Sequence, residues 1–212
     1  MLRFEDPLFQ RYAKFVGISE GGLSKDPDDP AASQVQPGQY HTNMGVTFNT
    51  FKSYAKSLGV LPAYSTFIGL TKGQADRILY AYYQDAAKGI NDPITGLILT
   101  NIKWGSGNVL GHHTRAALNK IGVKVNAVGN LDDSIRRTIN EQNTVKFNQA
   151  LMQARREFLE SLAKRRAKSQ KYLKGWLNRE DRFKAEFIEK KNFNEFPWFL
   201  LMIGGALFLS SK

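Results

Sequence analysis

Apolar positions recur at helical spacing through most of the chain. Phe9, Tyr12, Phe15 and Val16 form one stripe and Gly21-Gly22 follow it, which predicts an amphipathic helix from Pro7 to about Ser19. Glu20 then stands at a helix end, where the chain turns into a loop. From Pro27 to Tyr40 the period is lost and two further prolines occur, which predicts an extended loop or a weak hairpin. "TFNTFKSYAKSLG" predicts a second helix, with Thr47 or Asn49 as its cap, Phe48, Phe51, Tyr54 and Ala55 on one side, and Gly59 as its stop. "LTKGQADRILYAYYQDAA" predicts a third, opened by Thr71, with Ile78, Leu79, Tyr82 and Tyr83 on its apolar face. "DPITGLILTNIKWGSG" reads as a mostly buried element ending at Gly105 to Gly107. "HHTRAALNKIG" is a short helix, and "LDDSIRRTINEQN" follows behind a capping aspartate. A long helix begins near Thr144, where Phe147, Leu151, Phe158 and Leu162 make one stripe. "AKRRAKSQKYLK" beyond it reads as a solvated helix face, with binding to an anionic polymer as the alternative, and Trp104 and Trp176 read as core packing, with ring-stacking platforms for a ligand as the alternative. There is no internal repeat and no low-complexity segment.

The C-terminal stretch differs from all of these. Phe196 to Leu209 is about fourteen uncharged, mostly apolar residues. As a helix it would span about 21 Å, short of the roughly 30 Å hydrocarbon core of a bilayer. Trp198, Phe199, Leu200, Leu201, Met202, Ile203, Leu207 and Phe208 are expected to anchor it in membrane lipid, with Trp198 at the interface. The alternative is docking on the protein itself or on a neighbouring subunit. The first fifteen residues, "MLRFEDPLFQRYAKF", do not read as a secretory signal peptide.

Composition narrows the chemistry. Of 212 residues, 42% are hydrophobic and 23% charged, the profile of a folded protein. No cysteine is present, which excludes disulfides, zinc–thiolate sites and thiol nucleophiles. A net charge of +11 draws the protein to polyanions: nucleic acid, anionic lipid or anionic cell-wall polymer. Arg155 to Lys191 alone holds thirteen Lys or Arg against six Asp or Glu. The basic residues form no recognised nucleic-acid motif, so no specific nucleic acid is expected as a partner. His41, His112 and His113 lack metal-ligand spacing, and no phosphate loop, GxSxG or HExxH occurs, so neither metal nor cofactor is expected.

The acids of "SEGGLSKDPDDP" are the candidates for chemistry. Glu20 and Asp29 form E-x8-D. Glycosidic cleavage needs two carboxyl groups in unlike surroundings, one protonated to donate to the leaving oxygen and one ionised. A glutamate at a helix C-terminus, beside apolar Phe15 and Val16, is expected to hold a proton; an aspartate in a solvated loop is expected to be ionised. The bland alternative is a polar turn with solvated acids.

"FVGISEGGLSKDPDDPAA" followed by "HTNMGVTFNTFKSYAK" resembles the N-terminal half of glycoside hydrolase family 108, lysozyme-like muramidases with an E-G-G…D-P-G-G-x-T-x-x-G-[IV]-T signature. "LTKGQADRILYAYYQD" resembles the helix that follows there. "IKWGSG" and "KYLKGWLNREDRF" resemble the W-N-S-G and G-W-x-N-R signatures of the predicted peptidoglycan-binding domain usually fused behind it. The resemblance covers about residues 8 to 183. It implies a mainly α (α+β lysozyme-like) fold: a helical bundle with a small irregular or β-hairpin active-site loop, here with a C-terminal hydrophobic helix. The expected division is a catalytic region at 1–95, a helical peptidoglycan-binding-like region at 96–192 and a hydrophobic tail at 193–212.

By position, the resemblance implies that Glu20 is the general acid and that Asp29 and Thr42 hold the nucleophilic water. Gly21, Gly22, His41, Asn43, Gly45 and Trp104 are expected to line the substrate site, with Gly45 allowing close backbone approach. The sequence departs from the pattern at Ala31-Ala32, which replace Gly-Gly, and at "SQVQPGQY", which lengthens the loop before Thr42. Asp28 or Asp26 could take the aspartate's role, and "WGSG" replaces W-N-S-G.

The implied activity is hydrolysis of the β-1,4 bond between N-acetylmuramic acid and N-acetylglucosamine. Inverting, retaining and lytic transglycosylase outcomes all remain open. A basic flank before the tail would keep the catalytic region on the cytoplasmic side. That suits a phage-encoded enzyme, carried in the virion with membrane or coat proteins as partners, or held at the host membrane before lysis. The competing readings are a structural virion protein on a lysozyme-like scaffold and a basic nucleic-acid binder.

Overall fold

Helix α1 (Pro7–Glu20) starts at Asp6, whose side chain accepts a hydrogen bond from the Leu8 amide, with Pro7 in the first turn where no N–H donor is needed. It buries Phe9, Tyr12, Ala13 and Val16, and each of the larger side chains contributes about 1.5–3 kcal/mol by leaving water. The computed structural model describes residues 1–107, 109–125 and 130–189.

Three two-residue strands follow, β1 (Leu23–Ser24), β2 (Thr42–Asn43) and β3 (Val46–Thr47), in an antiparallel sheet of order β1-β2-β3. Leu23 faces Asn43 and Ser24 faces Thr42 across one ladder; Thr42 faces Thr47 across the other. The hairpin therefore lies at residues 42–47 and not within Pro27–Tyr40, which instead holds a 3-10 turn at Pro30–Gln34. Pro30 and Pro37 withhold N–H groups that a ladder would need. Met44-Gly45 supplies the two-residue turn, with φ of 49° and 79°, as the primed hairpin turns require.

Helix α2 (Phe48–Tyr54) is capped by Thr47 and ends earlier than Gly59. A short α3 (Tyr64–Ile68), which the apolar pattern did not announce, precedes α4 (Lys72–Ala86), opened by a Thr71–Gln74 capping box. Then come α5 (Pro93–Ser106), α6 (Leu110–Lys120), α7 (Asp133–Asn140) behind its Asp132 cap, and α8 (Thr144–Arg165).

In α8 the buried face runs through Phe147, Leu151, Arg155, Leu159 and Ala163. Phe158 and Leu162 stand half-buried at its margin, one position away from the expected stripe. The helix stops at Arg166 (φ −128°, ψ 99°), and a 3-10 turn at Ala167–Ser169 leads into α9 (Gln170–Phe183), prolonged by π-helical turns at Lys184–Glu189. "AKRRAKSQKYLK" is thus a reversal between two helices rather than one solvated face. The reversal packs α9 against α8, and Phe183 and Phe187 meet Tyr12 and Phe15 of α1 edge-on.

Apolar packing divides into two clusters. The larger joins α1, α4 and α5 to α6, α7, α8 and α9, so it runs continuously across residue 95. The smaller gathers Val46, Phe51, Ala55, Phe67, Leu70, Ala75 and Ile78 beneath the hairpin, α2 and α3. Trp104 packs against both and marks their seam. Among the described residues the protein is mainly helical with one small sheet. Among the described residues no helix is long and apolar enough to cross a membrane. The hydrophobic helix and anchor residues expected over 193–212 lie outside the described residues.

Candidate active site

Glu20 is the last residue of α1, and Gly21 (φ 66°, ψ −149°) turns the chain away from the helix axis. The strand that follows pairs with the hairpin, and Met44 N donates to Gly22 O at 3.3 Å. This lays the hairpin turn over the glutamate. A Cβ built on Gly45 would lie 2.7 Å from Glu20 Cγ and 2.9 Å from Trp104 Nε1. Only a residue without a side chain fits there.

The carboxylate does not face Phe15 and Val16, which turn toward α9 and the core. Its Oε1 accepts from Trp104 Nε1 at 3.0 Å and from Arg179 Nη1 of α9. Both side chains of the Glu20–Arg179 ion pair are mostly buried, at 20% and 14% exposure. Arg179 is held in turn. Its Nη2 donates to Asn101 Oδ1 at 3.0 Å, and Asn101 Nδ2 donates to Glu180 Oε1 at 3.2 Å. Glu180 pairs with Arg155 Nε at 3.5 Å, and Arg155 Nη1 donates to Ser106 Oγ at 2.5 Å. Four helices therefore fix one guanidinium. Burial works against its charge, but the carboxylates of Glu20 and Glu180 outweigh that, and Arg179 holds its proton more firmly than usual. Tyr12 lies near this group with a buried hydroxyl that has no hydrogen-bond partner among the described residues. Burial, with the charges of Glu20 and Glu180, pushes its pKa up and keeps the hydroxyl neutral.

The departure at Gly105 has a structural counterpart here. A Cβ at Gly105 would come within 3.1 Å of Arg155 Nη2, so a larger residue would press on that guanidinium.

The acidic loop is clamped from the same side of the molecule. Lys171 Nζ lies 3.1 Å from Asp26 Oδ1 and 2.8 Å from Asp28 Oδ2, and Lys168 Nζ lies 3.1 Å from Asp28 Oδ1. The Tyr172 hydroxyl donates to Asp26 Oδ2 at 2.6 Å. Asp29 takes no part in this clamp. Its Oδ1 accepts from the Ala31 amide at 2.8 Å, capping the 3-10 turn, and it has no cation partner among the described residues.

The bonds from Tyr172, the Asp28 amide and Lys171 hold the Asp26 carboxyl down at about 2, against an ordinary 3.8. A lowered folded-state value stabilises the clamp above the unfolded value, and that contribution disappears as pH falls through about 2. Pepsin cleavage within residues 25–40 is therefore expected to accelerate between pH 4 and pH 2. Lys171→Gln should raise it already at pH 4; equal cleavage of both proteins at pH 4 would show that the clamp does not hold the loop.

The remaining expected residues divide by exposure. His41 and Asn43 are buried, at 1% and 3% exposure. His41 Nε2 faces Asp26 O at 3.0 Å and must carry hydrogen there, so in the neutral ring Nδ1 accepts from the Thr42 hydroxyl at 3.0 Å. Asn43 donates to the carbonyls of Phe67 and Ile68. Both brace the hairpin instead of facing a ligand. Gly21 and Gly22 are exposed, with open space where a Cβ would be. Contact thus joins Glu20, Gly45, Trp104 and Arg179, while Asp29 and Thr42 stand on the adjoining loop and strand.

Arg179, Lys171 and Tyr172 were not singled out from the sequence. Arg179 lay within the "GWLNR" motif, but nothing local says that it reaches Glu20. A depression of about 540 Å³ lined by Arg115, Asn119, Gly122, Lys124 and Val125 shares none of these residues and holds no carboxylate. Among the described residues no group of His, Asp and Glu could hold a metal ion.

Comparison with known proteins adds to this geometry. Residues 13–106 match the family model Glycosyl hydrolase 108, and residues 109–181 match the Predicted Peptidoglycan domain. The solved structure of Brucella abortus SagA is similar in fold, with a TM-score of 0.62 at 20% identity over 86% of this chain and 94% of that one. The comparison with curated proteins gives no match.

Proposed function

Since the chain joins a Glycosyl hydrolase 108 region to a Predicted Peptidoglycan domain and is a glycosidase acting on peptidoglycan, we propose that it is a muramidase cutting between N-acetylmuramic acid and N-acetylglucosamine, with Glu20 as its general acid. The observation that carries this reading is the setting of Glu20. Trp104 and Arg179 both bind Oε1 and so fix the carboxyl group, which leaves Oε2 as the oxygen that faces the leaving group in this scheme. Asp29 is the second carboxylate, because Asp26 and Asp28 are occupied by Lys168, Lys171 and Tyr172. Thr42, whose hydroxyl donates to His41, keeps its lone pairs for the water that Asp29 orients.

Arg179 is a positioning residue in this scheme. Arg179→Gln should lower kcat about 100-fold with little change in KM, since the acid would lose its fixed geometry. Arg179→Lys should restore only part of the rate, because an ammonium lacks the planar fork that bridges Glu20 and Asn101. A rise in KM with an equal fall in kcat/KM at unchanged kcat would instead assign Arg179 to substrate binding.

The muramidase reading is tested by mass analysis of digested peptidoglycan. Fragments ending in reducing N-acetylmuramic acid are expected. Reducing N-acetylglucosamine ends would make the enzyme a glucosaminidase, and 1,6-anhydro ends a lytic transglycosylase.

The same reading extends to a phage-encoded enzyme, carried in the virion or held at a host membrane through residues 193–212. Its support is the basic flank and apolar stretch of the sequence. Absence of the protein from purified virions together with failure to sediment with anionic vesicles would remove that extension.

A further inference from the structure

Helix α9 does more than supply Arg179. Tyr172, Gly175, Trp176 and Arg179 stand at i, i+3, i+4 and i+7 and so share one face. At one end of that face Tyr172 touches the acidic loop through Asp26, and at the other Arg179 touches Glu20. The two rings between them stack, with centroids 5.9 Å apart and planes 29° from parallel. Both are half-buried, and neither joins either core cluster among the described residues. Trp176 is therefore not the core residue that its sequence suggested. Gly175 is exposed, and a Cβ there would meet nothing within 4 Å. The face presents a gap bordered by a pair of aromatic rings and by the arginine that holds the acid.

We propose that this gap is a glycan subsite, in which one sugar ring of the β-1,4-linked amino-sugar strand lies on Trp176 over Gly175, next to the bond under attack. The inference rests on the reading of Glu20 as the acid for that strand. Aromatic faces suit the C–H surfaces of a sugar ring, and Tyr172 and Trp176 carry two stacked rings beside the open space over Gly175. The Predicted Peptidoglycan domain then grips the same strand that is cut, instead of a distant one. The subsite and Arg179, the partner of Glu20, share one face of α9.

The full-length Glu20→Gln protein separates binding from cleavage. It is titrated with a β-1,4 N-acetylglucosamine hexamer by calorimetry and incubated with peptidoglycan sacculi. Binding to both is expected. Adding Trp176→Ala should weaken hexamer binding about tenfold, and Trp176→Phe should weaken it less. Gly175→Leu should fill the gap and weaken binding as strongly, while the melting temperature holds or rises, because a helical glycine is being replaced by a better helix former. Unchanged hexamer affinity in Trp176→Ala or Gly175→Leu, with the fold intact by circular dichroism, would overturn the subsite. So would failure of the Glu20→Gln protein to bind either glycan. If wild-type protein cleaves nothing yet hexamer binding still depends on Trp176 and Gly175, the catalytic reading fails and the subsite stands.

Discussion

Glu20→Gln is expected to reduce reducing-end release from peptidoglycan by about 100- to 10,000-fold, the range that general acid catalysis contributes. The substitution is close to isosteric. The amide oxygen can still accept from Trp104 and Arg179, so the seam between the two cores keeps its shape. What the substitution removes is the carboxyl group proposed to pass a proton to the leaving oxygen. The variant also leaves a mostly buried guanidinium without its carboxylate, which costs about 1–3 kcal/mol of stability. A melting curve run beside the activity assay separates the two effects. A folded variant that still cleaves at more than a tenth of the wild-type rate would show that another group donates the proton.

Gly45→Ala should lower kcat about 100-fold or more, although it adds one methyl group to a residue outside the reaction. Two penalties act together. The position has φ +79°, a conformation that costs an L-residue roughly 1–2 kcal/mol. The new Cβ would also lie 2.7 and 2.8 Å from Glu20 Cγ and Cδ, so the acid or the hairpin must move. Gly38→Ala is the internal control. Its φ is +82°, yet a Cβ there meets nothing within 4 Å, so it carries the strain without the collision. Gly38→Ala should lower the melting temperature and keep the rate. If both variants lose activity alike, strain in the loop region and not displacement of Glu20 would be the cause.

Local features were legible in the sequence because local forces set them. The stripe of Phe9, Tyr12 and Val16, the glycines after it, the Thr71 cap and the aspartate cap of α7 act within a few residues of themselves. The position of Glu20 at a helix end follows directly. The partners of Glu20 do not. Arg179 is one cation among many in a basic region, and its pairing depends on where α8 stops and how α9 folds back. The three aspartates illustrate the same limit. Spacing favoured Asp29 but kept Asp28 and Asp26 as alternatives, and the reach of Lys168, Lys171 and Tyr172 is what sets those two apart. Trp176 reads as core packing from the sequence for a related reason, since a tryptophan in a helical pattern looks alike whether its face meets a core or a cleft. In α8 the expected stripe missed by one position because a buried arginine, Arg155, occupies a place that apolar periodicity cannot mark.

The ion pair between Glu20 and Arg179 spans 159 positions of sequence. At a translation rate of about 5–20 residues per second, roughly ten to thirty seconds separate the synthesis of the acid from that of the arginine that holds it. Throughout that interval the nascent chain has a glutamate but no assembled centre, even where its first helices have already formed. The ribosome thus acts as a timer on this centre, which cannot assemble until α9 has been made.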